Sequence, residues 1–574
     1  MSDDLPTTRC LLCSLQCPLA LSSDASGGIS VEYVADDQVT EGRLCFRGHY
    51  AADLAAHPMR LTSAEMRNGE PLPTQSPSFM EDVLRRLGGR LHSAGMNAAV
   101  VVDGNLTTGD ILACLRFGRG ALKTDRVAVY LPESDEAMLA GLRPDAELLP
   151  VEEVRNGDVF LFVGDALATH PMIGRHVMDA KWGNRAKIFG MDCLPNRVAG
   201  FADKFLLVEP GGEAPALAAV CRMAEGSLAA DQAWAGEDLA DLVKASGAEE
   251  SMLRGIAEAL AEAKQAGIFL APAPGRMTNV TAAAAAACAL CETFKAAKLM
   301  PLFRYGNAVG AGRAATAAEA QVSGEVMRAA LEGRVEVLLS IGVDVLRLLS
   351  PKDAEALRRR VSTLAIASVL RNRTTEQADF VLPLAAWFEQ SGQAHDAIAG
   401  TVELHSLLEP PGAALPACDL SARLAAAAHA LPPSHAALPD EKPFRGAAVK
   451  EIRVGEAPDS GLRLVARTDV ADFGDGSETR QCSWARYMEA EPELVVNAAE
   501  AKKRKLAPRC RAVVRANHTE ARVRIRTTQQ MPAGTVAVST AFDRTRRLFL
   551  QRLDGAGIGE LAPVECDVTV EADL

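Results

Sequence analysis

The chain has 574 residues, 48% of them hydrophobic, and a formal net charge of −13. That length exceeds what one core holds and predicts several packed units. The acidic balance argues against a nucleic acid or an anionic membrane as the main partner. The basic run Lys502-Lys503-Arg504-Lys505 reads as a solvated face. No apolar run approaches the ~20 residues of a membrane helix, and the polar opening MSDDLPTTR is unlike a secretory signal. A cytoplasmic, reducing setting is therefore expected, in which the 13 cysteines serve as ligands or buried thiols rather than disulfides.

The first predicted element is a cysteine segment. TTRCLLCSLQCPLA places Cys10, Cys13 and Cys17 within eight positions, and Cys45 follows in GRLCFRGHY. Structural zinc is usually gripped by two separated two-cysteine knuckles. Here three cysteines share one turn-rich segment and the fourth arrives alone. That spacing favours a [4Fe–4S] cubane, one loop serving three irons and a distant thiolate the last, over a zinc site. Arg47, two residues beyond Cys45, is expected to favour the reduced, more negative cluster. Gly48 suits a tight turn.

After the cysteines one unit recurs: an apolar run, a glycine-containing loop, then a helical stretch. It appears at 98–122 (AAVVVDGNLTTGDILACLRFGRGAL), at 158–183 (DVFLFVGDALATHPMIGRHVMDAKWG) and at 335–350 (VEVLLSIGVDVLRLLS). Such runs predict parallel strands with crossover helices, and loops at the carboxyl ends of those strands are where nucleotide-like ligands bind. The last two units continue alike. Asp192 to Asp203 and Ser368 to Asp379 each span eleven positions and end on Ala-Asp before an apolar strand, which predicts an internal structural echo. Residues 408–448, rich in Pro, Ala and Gly, predict a helix flanked by linkers. LRLVART, ELVVN, CRAVVRA, ARVRIRTT and GTVAVST then predict a small closed barrel. Cys114 and the Cys288/Cys291 pair fall in helical stretches and read as packed thiols.

Taken in order, these segments resemble the bis-molybdopterin-guanine-dinucleotide oxidoreductases. That family includes formate dehydrogenases, nitrate reductases, formylmethanofuran dehydrogenases and the large iron–sulfur subunit of complex I. The resemblance rests on the four cysteines with CFRG, on HPMRLTSAEMRNG (57–69), VGDALATHPMIG, ADKFLLVEPGGEAPAL, ADFVLPLAAWFEQSGQ and EPELVVNAAEAKKRKLAPRCRAVVRA. It implies a multidomain α/β architecture: an iron–sulfur domain (1–60), a discontinuous Rossmann-like domain (61–140 plus 335–450), a second one (141–334) and a C-terminal β-barrel domain (455–574). It also implies a [4Fe–4S] cluster on Cys10, Cys13, Cys17 and Cys45, and molybdopterin guanine dinucleotide carrying molybdenum or tungsten. Gly164, Asp165, His170, Pro171 and Asp192 would line one nucleotide loop, and Gly342 and Asp344 its counterpart. Glu389 and Gly392 would lie near the pterin, and Asn497 at the barrel's dinucleotide contact. Arg47 would stand between cluster and pterin.

The sequence departs from that family where the metal ligand belongs. TDRVAVYLPESDEAMLAGL (124–142) offers Leu131, which cannot bind a metal, or Ser134, with Asp135 beside it. No counterpart of the family's acid–base histidine is evident, and Asp396 stands where asparagine is common. The expected function is thus an iron–sulfur electron-transfer subunit of a soluble multisubunit oxidoreductase, with iron–sulfur or flavin subunits as partners and its own metal site lost. The alternatives are a catalytic molybdenum or tungsten enzyme of formate or formylmethanofuran dehydrogenase type, with Ser134 or no side chain on the metal, and a scaffold subunit.

Overall fold

The structure is a computed structural model describing residues 6–25, 28–67, 77–224, 236–431, 443–446, 461–553 and 558–570. Asn68 and Gly69 of the 57–69 segment, and most of the proline-rich stretch after residue 431, lie outside the described residues. The chain opens with an antiparallel sheet of β1 (Thr7–Arg9), β2 (Pro18–Ser23) and β3 (Ile29–Tyr33). Next come a short edge strand, β4 (Glu65–Met66), then β5 (Ala98–Asp103), helix α1 (Thr108–Arg116) and β6 (Val127–Tyr130).

A second sheet follows, with β7 (Val159–Gly164), β8 (Lys187–Asp192), β9 (Lys204–Leu207), helix α2 (Glu213–Met223), β10 (Ala266–Ala271), helix α3 (Val280–Thr293) and β11 (Ala297–Pro301). All its pairs are parallel, in the order β11-β10-β7-β8-β9. The chain then returns to the sheet of β4, β5 and β6. Helix α4 (Ala308–Ala317) leads to β12 (Gln321–Val322), β13 (Val337–Ile341), β14 (Thr363–Ser368) and β15 (Phe380–Pro383). That sheet runs β12-β6-β5-β13-β14-β15-β4, parallel except at β4. The VFLFVG and VLLSI strands are buried along their whole length, as strands covered on both faces must be. A hairpin of β16 (Gly392–Asp396) and β17 (Gly400–Leu404) follows.

The barrel consists of β18 (Leu462–Arg467), β19 (Glu493–Asn497), helix α5 (Ala498–Lys503), β20 (Arg511–Ala516), β21 (Thr519–Thr528), β22 (Thr535–Ser539) and β23 (Val564–Val570). It closes in the order β18-β22-β19-β21-β20-β23. In β21, Ala521, Val523 and Ile525 point inward while Arg522, Arg524 and Arg526 face out, the period-two alternation of a one-sided strand. All five strands expected from the sequence are present. β23 is an addition to them, and VECDVTV alternates apolar and polar residues as β21 does.

Two compact units result. One holds Met1–Glu133, Tyr305–Pro443 and Gln551–Glu560; the other holds Ser134–Arg304, Phe444–Leu550 and Leu561–Leu574. The chain passes from one unit to the other at 133/134 and 304/305, and β12 pairs with β6 within the first unit. No helix among the described residues is long and apolar enough to cross a membrane.

Candidate iron–sulfur site and its surroundings

Cys10, Cys13 and Cys17 lie in the loop of the β1–β2 hairpin. The hairpin pairs Arg9 with Pro18 and continues into Cys10 N–H donating to the Cys17 carbonyl at 2.9 Å. The loop is thus pinned at its neck by ordinary backbone bonds, and all three thiols turn inward, at 5–7% exposure. Cys45 is half-buried and opens the tight turn Phe46–His49, in which Gly48 N–H donates to the Cys45 carbonyl at 3.0 Å.

The four thiols are close enough to feel one another. Burial, and then the charges of Cys13 and Cys45, push the Cys10 thiol far up. Burial, and then Cys13, Cys10 and Cys45, do the same to Cys17. Burial drives Cys13 up to about 11, against the pull of Arg47. Thiols so placed become thiolates only when a positive centre compensates their desolvation. Arg47 supplies one such charge. It is 3% exposed, donates to the Leu12 carbonyl at 3.2 Å and hydrogen-bonds Cys45. Among the described residues no three Cys, His, Asp or Glu side chains crowd together as ligands of a single ion.

Gly306 backs the thiol loop. Its N–H donates to the Leu11 carbonyl at 3.0 Å, its own carbonyl accepts from Gln16 Nε2, and a Cβ there would lie 2.6 Å from Leu11 Cα. Beside it is a buried polar set missed in the sequence. Asn307 Oδ1 accepts from His395 N–H at 2.8 Å and from Thr108 Oγ1 at 3.2 Å. His395 Nδ1 lies 2.9 Å from that hydroxyl. With the hydroxyl proton committed to Asn307, the imidazole proton belongs on Nδ1. Asp396, next along the chain, accepts from Ile398 and Ala399 N–H and adds a negative charge felt by Cys13. Histidine position and pairing depend on three separate segments, so no local spacing announced them.

The other expected residues divide into two groups. In the first unit Glu389 forms a buried ion pair with Arg60 and accepts from Ala386 N–H at 2.7 Å. Arg60 Nε and Nη1 and Trp387 Nε1 are buried donors with no acceptor among the described residues. Gly392 abuts Thr107. Buried donors left open fit a ligand rich in acceptors, such as a pterin. Asp344, by contrast, is occupied: it accepts from Thr374 N–H, Thr374 Oγ1 and Arg373 N–H. Gly342 has a φ of +81° and abuts Asp103, which makes it a strand-end turn.

In the second unit the expected nucleotide residues bond to the chain itself. Arg276, 2% exposed and following β10, donates to Asp192 at 3.0 Å, to Asp165 at 3.3 Å and to Thr468 at 3.0 Å. His170 is fully buried, its Nε2 2.9 Å from the Phe303 carbonyl. Gly164, with φ +84°, would drive a Cβ to 2.1 Å from the Ala271 carbonyl. Pro171 accepts from Gly174 N–H, and Asn497 caps α5 through Ala499 and Glu500 N–H. Ser134 is 3% exposed and its hydroxyl has no partner among the described residues, whereas Asp135 accepts from Arg304 N–H. Leu131 is buried.

Residues 6–57 match the family described as Molybdopterin oxidoreductase Fe4S4 domain. The N-terminal segment thus matches the [4Fe–4S] domain of the molybdopterin oxidoreductases. It is 25% identical over 219 residues to a nitrate reductase of Shewanella frigidimarina, covering 36% of this chain and 23% of that one. It is 24% identical over 220 residues to the F420-dependent formate dehydrogenase subunit alpha of Methanocaldococcus jannaschii, covering 37% and 32%. The chain thus spans less than a third of the length of these relatives. Acetylene hydratase from Pelobacter acetylenicus has the same fold, with a TM-score of 0.74 and 13% identity over 98% of this chain and 99% of that one.

Proposed function

We propose that the chain is an iron–sulfur electron-transfer subunit of a multisubunit oxidoreductase, with Cys10, Cys13, Cys17 and Cys45 holding one [4Fe–4S] cluster. The observation that carries this reading is the enclosure of four interacting thiols around the buried Arg47, set against Ser134, a single buried hydroxyl at the place where the resemblance puts a metal ligand. Each thiolate would ligate one iron. The guanidinium would offset the cluster's negative charge, and the surrounding protein would exclude water. Partner proteins with flavin or iron–sulfur centres would supply and remove electrons, and the cytoplasm is the expected setting.

The test is elemental analysis of protein purified without oxygen. About four irons per chain with no stoichiometric molybdenum or tungsten supports the reading. Near-stoichiometric molybdenum or tungsten overturns it. One observation favours the catalytic alternative: the open donors on Arg60 and Trp387, which with Glu389 would hold a pterin. When bound, that group would supply two-electron chemistry at its metal. A substrate screen would then begin with formate.

A further inference from the structure

The parallel sheet of β5, β6 and β13 has two ends. Beyond its carboxyl end, Asn105 and Thr108, which follow β5, bond to Gly306 and Asn307 beside the thiol loop. The amino end of β5 lies one strand length away, six residues or about 20 Å. There the turn Gly95–Asn97 before β5, the turn before β6, the first residue of β12 and the helix Ser323–Leu331 surround a cleft of about 430 Å³. Its walls carry four cations, Lys123, Arg126, Arg328 and Arg334, and two carboxylates, Asp125 and Glu325. Two of these six are engaged outside the cleft. Arg334 Nε donates to Glu332 at 2.8 Å, and Asp125 pairs with Arg119 at 3.3 Å. That leaves Lys123, Arg126 and Arg328, none of which has an ion pair among the described residues, against Glu325 alone. Arg126 is fixed by a bond from its Nη1 to the Met96 carbonyl, which also accepts from Thr124 Oγ1 at 3.2 Å. Arg328 is half-buried, and its Nε is shut from solvent with no acceptor among the described residues. A chain of net charge −13 thus keeps a cationic hollow with an unspent guanidinium. Neighbouring like charges repel, and a buried donor without a partner costs free energy. An anion with several oxygens removes both costs.

We propose that this cleft binds a small phosphorylated molecule carrying two or more phosphate groups. Guanidinium forks match phosphate oxygens two at a time, and a lysine adds a point charge. The volume is that of an ordinary small-molecule site and exceeds what one phosphate fills, so linked phosphates suit it better than a single one. No cluster ligand and no residue placed near the pterin lines the cleft. Its occupancy therefore does not depend on what the other end of the sheet holds.

The test is isothermal titration calorimetry of the full chain with inorganic pyrophosphate, with orthophosphate, sulfate and citrate as contrasts. The wild type is expected to bind one pyrophosphate, more tightly than any of the other three, with an affinity that falls as salt is raised. Lys123→Gln and Arg328→Gln should each weaken binding about tenfold, the loss of one charge-assisted hydrogen bond, without lowering the melting temperature of the ligand-free protein. Arg328→Lys keeps the charge but not the fork, and should lose part of that affinity. Arg85→Gln removes an exposed arginine, paired with Asp82 elsewhere in the same unit, and leaves binding intact. A wild type with no saturable pyrophosphate binding at millimolar concentration overturns the proposal. So does binding that survives Lys123→Gln and Arg328→Gln, or that Arg85→Gln weakens as much, since either outcome means attraction to the surface at large. Citrate binding as tightly as pyrophosphate overturns the choice of phosphate.

Discussion

The guanidinium of Arg47 donates to the carbonyl of Leu12 at 3.2 Å, so the segment that delivers the fourth thiol is tied directly to the loop that delivers the first three. The same side chain is a buried positive charge against Cys45, Cys13 and Cys10. A fixed cation stabilises the reduced cluster more than the oxidised one, because reduction adds negative charge. Arg47→Ala is expected to lower the cluster potential by about 60 mV, one tenfold change for a one-electron couple. A redox titration followed by electron paramagnetic resonance reads the shift directly. An unchanged potential would end the tuning role.

Gly306 has no room for a side chain. Its Cβ would lie 2.6 Å from Leu11 Cα and 2.7 Å from the Leu11 carbonyl oxygen, backbone that cannot step aside without moving the thiol loop. Gly306→Ala should cost about 1–3 kcal/mol in a denaturant titration and reduce the iron bound per chain. Full iron occupancy and wild-type stability would show that the loop has slack.

Arg276 is held between Asp165 and Asp192, with all three side chains at 8% exposure or less. Removing the cation strands two buried carboxylates. Arg276→Met is expected to destabilise by about 3–5 kcal/mol. Adding Asp165→Asn and Asp192→Asn to that variant should restore much of the loss. Chemical denaturation of the single and triple variants decides it.

Glu213 is fully buried near Asp192, and burial first, then that neighbour, pushes its carboxyl up to about 8 from an ordinary 4.5. Between those two pH values the folded state holds a proton that the unfolded state has released. This group's contribution to stability is therefore complete below the lower value and declines as pH rises through the upper. Glu213→Gln, neutral at every pH, should melt several degrees above the wild type at pH 8, with the gap closing toward pH 5. Thermal scans across that range are the measurement, and a gap independent of pH would contradict it.

Asp203 and Asp379 repeat one arrangement in two different sheets. Each carboxylate accepts, at 2.8 Å, from the N–H of the second residue of a strand fifteen positions earlier, Ile188 or Leu364. Each aspartate's N–H donates back to the carbonyl of that residue, at 2.8 and 2.7 Å. Asn196 and Asn372 echo each other too, bonding the residues four positions before them, Asp192 and Ser368. Asp379→Ala should cost about 1–3 kcal/mol, and Asp203→Ala less, since Asp203 is exposed and Asp379 half-buried. Equal losses in a denaturant titration would contradict that ranking.

That echo explains what could be read from the chain alone. Strand periodicity, the cysteine spacing and the two Ala-Asp segments are local signals, and the hairpin loop, both parallel sheets and the barrel follow them. The contacts around the site are not local. Gly306 meets Leu11 across nearly three hundred residues, and His395 meets Thr108 across 287. Arg276 lies in GRMTN, where nothing nearby announces a partner, because both its carboxylates follow other strands. Asp165, Asp192 and Asp344 have the residue types of ligand contacts, yet much of their bonding capacity is spent inside the chain. Sequence shows which groups are present but not which are already engaged.

The barrel closes through β23, which pairs with β18 on one side and β20 on the other. Until the ribosome has passed Val570 and that strand has emerged, β18 and β20 each present an open hydrogen-bonding edge to the crowded cell. A nascent or truncated chain lacking β23 would carry two adhesive ribbons, the kind of surface that recruits other strands and seeds insoluble aggregates. Solubility during synthesis then depends on the last strand of the barrel to emerge, far in sequence from the cluster thiols.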